Sequence, residues 1–196
     1  MTPPSPSKSE RTRGALRATA LRHFVLEGFE GASVPAIAAE VGVTERTFYR
    51  HFATKDEVLF ADLVEGLAWF RTAIRARPAT EDLIRSVLES LSSAPTDPHL
   101  LVEIVRLRRE LLSRERIERV FRDRQAAMAT ELRALLVERG CSELDAAVRA
   151  ETLAGAVFAA VAVWGDEPDP HDLRRLGHLT EEALEKVRPL LHPAAG

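Results

Sequence analysis

The chain has 196 residues, enough for one domain or one and a half at roughly 150 residues per domain. With 45% hydrophobic and 29% charged residues it is too apolar for a disordered chain and too evenly charged for a membrane-spanning one. A net charge of -3, from 27 basic and 30 acidic side chains, argues against a protein that coats nucleic acid, and a single cysteine, Cys141, excludes an intramolecular disulfide.

The opening MTPPSPS is Pro- and Ser-rich and reads as a flexible arm over residues 1–8. No secretory signal is expected, because no basic start leads into an apolar run with a small-residue cleavage site, and a cytoplasmic location follows. From Ser9 onward apolar residues recur at helical spacing, without an alternating run bounded by hairpin turns, so the class is all-α.

The first helix is predicted over Ser9 to Glu27, with Ser7 and Glu10 at capping-box spacing, Leu16, Ala20, Leu21, Phe24 and Val25 on one face, and Gly28 as the stop. Ser33 caps a short second helix to Val41, with Pro35 in its first turn, and Gly42 ends it. Thr44 caps a third through Phe52. Thr54 and Glu57 then repeat the capping-box pattern and open a long fourth helix that Pro78 closes.

A fifth helix is predicted from Thr80 to Leu91, and Asp97-Pro98 opens a sixth containing Leu101, Ile104 and Val105. Ser113 restarts the chain in a seventh helix to about Arg139. Ser142 and Asp145 begin the eighth, whose Leu153–Trp164 run (LAGAVFAAVAVW) is non-polar on every side. Twelve such residues fall short of the roughly 20 that cross a bilayer, so the run reads as buried on all sides and no membrane partner is expected. Asp169-Pro170 opens a ninth helix expected to stop before Pro189.

Two short helices joined by a tight turn behind a longer one form a DNA-reading unit, in which the second of the pair lies in the major groove. Ile37, Ala38, Val41, Val43 and Phe48 supply a small internal core, leaving Glu45, Arg46, Thr47, Tyr49, Arg50 and His51 for the outside. Arg46 and Thr47 sit near the helix start, where an Arg fork can bind guanine and a Thr can touch a base edge. Tyr49, His51 and Lys55 are donors suited to phosphates. Any short capped pair with a glycine turn shares this pattern, and Tyr and His are common surface residues.

The stretch Gly28-Phe29, Ala38-Ala39-Glu40-Val41-Gly42-Val43, Thr47-Phe48-Tyr49-Arg50-His51-Phe52 and Lys55-Asp56-Glu57-Val58-Leu59-Phe60 resembles the TetR family of transcriptional regulators. The resemblance is close over roughly the first 60 residues and rests on helix count beyond them. It implies a helix-turn-helix head over 9–54, a ligand-binding and dimerisation body over 55–196, and a double-stranded DNA operator as partner. It further implies Arg46, Thr47 and Arg50 as base contacts, and Thr44, Tyr49, His51 and Lys55 as phosphate contacts. Pro35 and Ala36 depart from the polar residues usual at the start of the second helix.

The family plan also implies a homodimer through the last two helices, with Gly155, Ala156, Ala159, Ala160, Leu176 and Ala183 at the seam; periodicity alone fits a central core helix nearly as well. A small-molecule effector is implied, with Trp69, Phe70, Phe121, Met128 and Phe158 as candidate pocket lining, and a pendulum motion of the fourth helix would link it to the head. Eight arginines between Arg106 and Arg124 could serve an acyl-coenzyme A, but interleaved Glu110, Glu115, Glu118 and Asp123 favour a solvated, salt-bridged helix face.

No catalytic residue, metal or cofactor is expected. Asp166, Glu167, Asp169, His171 and Asp172 read as a polar interhelical loop rather than a cation site, and nucleophile-elbow, phosphate-loop and dinucleotide motifs are missing. The competing class is a helical ligand-binding or interaction protein, or an enzyme, without DNA binding. Charge distribution bears on that choice: through Lys55 there are eight basic and five acidic residues, against 19 and 25 beyond. The near-neutral total is thus a basic head joined to an acidic body.

Overall fold

The computed structural model describes residues 7–95, 97–168 and 172–191. Among these, nine α-helices and one 3-10 turn account for the regular structure, with no strand. The chain divides into two compact units, one formed by residues up to Ala61 together with Arg106–Arg114, the other by Asp62–Val105 and the chain from Glu115 on.

In the first unit, α1 (Lys8–Gly31) opens on the expected capping box: the Ser7 hydroxyl accepts from the Glu10 amide at 3.2 Å and the Glu10 carboxylate accepts from the Ser7 amide at 2.6 Å. Gly28, at φ 74°, breaks the helix where the stop was expected, and the short turn beyond it carries Phe29 into the core against Phe24. α2 (Val34–Glu40) is capped by Ser33, and Gly42, also at φ 74°, turns the chain into α3 (Glu45–His51). Leu16, Ala20, Phe24, Ile37, Ala38 and Phe48 close the three helices on one core.

The long fourth helix expected from Thr54 is divided. A 3-10 turn covers Lys55–Val58, Thr54 makes no side-chain cap, and α4 (Ala61–Arg75) starts three residues later. Glu57 instead accepts from the Ala53 amide at 2.8 Å. Val58, Leu59, Phe60 and Ala61 are all buried, and four consecutive residues cannot share one stripe of a continuous α-helix, so the break lets each turn inward.

In the second unit, α5 (Leu83–Ser92) begins later than Thr80, because Asp82 is its cap, accepting from the Arg85 amide at 3.0 Å. Glu81 lies outside the helix and accepts from Arg77 Nε at 2.6 Å and the Ser86 hydroxyl at 2.7 Å. α6 (Pro98–Leu111) starts at the expected Asp-Pro pair. α7 (Arg114–Glu138) and α8 (Glu143–Asp166) contribute Met128, Leu132, Leu153, Ala154 and Val157 to a core shared with Phe70 and Ile74 of α4, Ile84 and Val87 of α5, and Leu184 of α9 (Leu173–Leu191).

Two expectations for the last helices are corrected. α8 is long and apolar enough to cross a membrane, yet it is not buried on all sides: Leu153, Ala154, Val157 and Trp164 pack inward while Ala159, Ala162 and Val163 are exposed. α9 runs through Pro189 to Leu191, since a proline in the last turn forfeits one hydrogen bond while Leu191 reaches the core. The predicted opening pair Asp169-Pro170 lies outside the described residues.

Candidate nucleic-acid interface

α3 is short, and its placement depends on its flanks. The Thr44 hydroxyl accepts from the Thr47 amide at 3.3 Å and lies 3.1 Å from the Thr47 hydroxyl, so both threonines are engaged at the helix start. Phe48 turns fully inward and Phe52 follows it, their rings 5.5 Å apart, with the Phe48 and Tyr49 rings nearly perpendicular at 83°. Burying one face fixes the other: Arg46, Tyr49 and Arg50 are exposed and Thr47 is half-buried.

Arg13 of α1 holds the end of α3. Its guanidinium donates to the His51 carbonyl at 2.6 Å and stacks over the Phe52 ring at 4.5 Å. His51 is half-buried with Nε2 inside and unpartnered, and burial, followed by the charges of Arg50 and Arg13, lowers its pKa below the usual 6.5. Both effects favour the neutral ring, a weaker phosphate partner than an imidazolium.

Lys55 is also employed within the fold. Its ammonium donates to the carbonyls of Ala32 at 3.2 Å and Glu30 at 3.4 Å, 4.5 Å from the centre of the Phe29 ring. A cation in that position ties the 3-10 turn to the end of α1. Between α1 and α2, His23 lies with Nδ1 2.8 Å from Glu27 and Nε2 3.0 Å from Glu40, which also pairs with Arg22. Hydrogen bonds from His23 first, then Arg22, hold the Glu40 carboxyl below its ordinary pKa. Arg13 and His23 were missed in the sequence because their partners lie 38 and 17 residues away.

Over residues 16–61 the chain matches the family model of bacterial regulatory proteins, tetR family. An 80-residue stretch is 39% identical to the HTH-type transcriptional regulator TcmR of Streptomyces glaucescens, covering 41% of this chain and 35% of that protein. The chain thus spans about a third of the length of the curated relative it matches. Among solved structures, a transcriptional regulator from Rhodococcus sp. Rha1 aligns over 96% of this chain and all of its own at TM-score 0.50 and 21% identity. A Mesorhizobium loti protein assigned to the tetR family aligns over 94% and 98% at TM-score 0.51 and 16% identity. At those identities the likeness is one of fold.

Outside the segment that matches the tetR-family model the remaining predicted residues separate. Phe70 and Met128 are core; Phe121 and Phe158 are half-buried with rings 6.2 Å apart; Trp69 is 43% exposed and donates to the Ser93 hydroxyl at 2.9 Å. None of the five lines the groove of about 770 Å³ formed by α5, α8, α9 and the start of α6. Of the predicted seam, Ala156 and Ala160 are already buried by their own chain, Gly155, Leu176 and Ala183 are half-buried, and Ala159 is exposed.

Arg106 pairs with Glu110 at helical spacing, as a solvated face requires, but Arg108 does not belong to that face. It is 3% exposed, donates from Nε to the Leu59 carbonyl at 2.7 Å and stacks 4.8 Å above Phe60. Among the described residues no group of three His, Cys, Asp or Glu could hold a metal; Asp169 and His171 lie outside them.

Proposed function

We propose that the protein is a cytoplasmic, homodimeric DNA-binding transcriptional regulator, a repressor released from a pseudo-palindromic operator by a small hydrophobic or amphipathic molecule. The observation that carries this reading is the outer face of α3 in a segment that matches the tetR-family model: two unburied arginines and a tyrosine beside a fully buried Phe48. Arg46 and Arg50 reach base edges, with the Thr47 side chain between them, while Tyr49 and the Thr44 hydroxyl meet phosphates. Lys55 adds its remaining donor, and His51 supports α3 chiefly through the carbonyl that Arg13 holds.

The dimer seam in this reading uses the outward stripe of α8, Ala159 with Ala162 and Val163, alongside α9. An effector acts by binding the conformer that does not fit DNA more tightly than the one that does. Fluorescence anisotropy with enriched duplex DNA at stepped salt tests the proposal. Specific binding that weakens steeply with salt, and is lost in Arg46→Ala plus Arg50→Ala, is expected. Equal, weak binding by wild type and variant would favour a helical ligand-binding or interaction protein instead.

A further inference from the structure

The groove between α5, α8, α9 and the start of α6 has chemistry of its own. Its volume of about 770 Å³ falls in the range of small-molecule sites, roughly 300–1,000 Å³. Leu88, Leu91, Leu101, Val157, Val161 and Leu176 give it an aliphatic lining. Four charged or titratable side chains stand on that lining: Glu89, Glu181, Arg174 and His178.

These groups do not cancel. Arg174 donates from Nε to Asp172 at 3.0 Å, and the same carboxylate accepts from the Arg174 amide at 2.9 Å, so this guanidinium already faces an anion, and His178 lies near enough to act on that carboxylate too. Asp172, held below its ordinary pKa chiefly by that amide, stays ionised. Glu89 and Glu181 form no ion pair among the described residues. The nearby cations are committed elsewhere: Arg77, which feels the Glu89 charge, pairs with Glu81; Arg175 pairs with Glu167; Lys186 pairs with Glu182. An aliphatic trough bordered by two carboxylates that have no ion-pair partner of their own among the described residues attracts one chemical class, an apolar body carrying positive charge.

We infer that this groove binds an amphipathic organic cation. The inference deepens the effector part of the proposed function, placing the effector's site away from Trp69, Phe70, Phe121, Met128 and Phe158. Aliphatic walls bury the apolar body, and Glu89 and Glu181 select the sign of its charge.

Isothermal titration of the full-length protein with tetraphenylphosphonium, and with its anionic isostere tetraphenylborate, tests the site without reference to DNA. Saturable binding of the phosphonium alone is expected, weakened roughly five- to tenfold by Glu89→Gln plus Glu181→Gln, whose exposed positions leave the fold intact, and weakened by added salt. Val161→Trp, which fills the trough, should abolish it. No phosphonium binding, equal binding of the borate, or binding indifferent to both variants would overturn the inference. So would a groove occupied by a second copy of the chain, seen as a change of oligomeric state in the double variant with phosphonium binding unaltered. Failure of the wild type to bind DNA would instead count against the regulator reading and leave the titration standing.

Discussion

At the scale of single residues, the groups that hold the head are charged side chains spent on backbone carbonyls. Arg13 on the His51 carbonyl, Lys55 on those of Glu30 and Ala32, and Arg108 on that of Leu59 each satisfy an acceptor while stacking on an aromatic ring. Arg108 is the most buried of them, so Arg108→Ala should cost about 2–4 kcal/mol, read as a lower urea midpoint. A midpoint unchanged from wild type would mean that the Leu59 carbonyl finds another donor at no cost. Glu81 sets a pH dependence. Hydrogen bonds from Arg77 first, then Ser86, lower its pKa from 4.5 to about 2, so the folded state binds fewer protons there than the unfolded state between those values. Its contribution is complete above pH 4.5 and drains away as the pH falls towards 2. The gap in melting temperature between wild type and Glu81→Gln should therefore be widest near neutrality and close on acidification; a gap that grows in acid contradicts the assignment.

At the scale of elements, what was legible in the sequence was local. Ser7, Ser33, Thr44, Asp97 and Ser142 all cap the helices their residue types announce, because a hydroxyl or carboxylate reaches an amide only two or three positions on. Gly28 and Gly42 mark turns for an equally local reason, their positive φ. Gly42→Ala should then destabilise the head by roughly 1 kcal/mol, from backbone strain alone since open space surrounds the position, and weaken DNA binding by tilting α3. Thermal melting and a DNA titration of the same variant check both halves. The elements that departed from expectation depend on distant contacts. The break at Lys55–Val58 follows from burying Val58 to Ala61 together, and the passage of α9 through Pro189 from the pull of Leu191 into the core. Arg108, read from its neighbours as part of a solvated arginine face, left that face for a carbonyl 49 positions away.

At the scale of the whole molecule, the sign of charge divides with the chain: eight basic and five acidic residues through Lys55, 19 and 25 after it. Such an asymmetry orients the basic segment towards phosphates and disfavours their approach to the remainder. The outward stripe of α8 makes a prediction of its own. Ala159→Glu plus Val163→Glu, both at exposed positions, should convert a dimer to a monomer in sedimentation velocity without lowering helicity, because two carboxylates per subunit would be buried across the two-fold seam. An unaltered dimer would move the seam elsewhere. The central claim is that the outer face of α3 reads DNA, and selection from a random duplex pool addresses it most directly. Wild type is expected to enrich a pseudo-palindrome, and Arg46→Ala and Arg50→Ala each to relax the preference at particular base pairs, by about 1–3 kcal/mol per contact. Enrichment of no motif, or of the same motif unchanged by both substitutions, would contradict it.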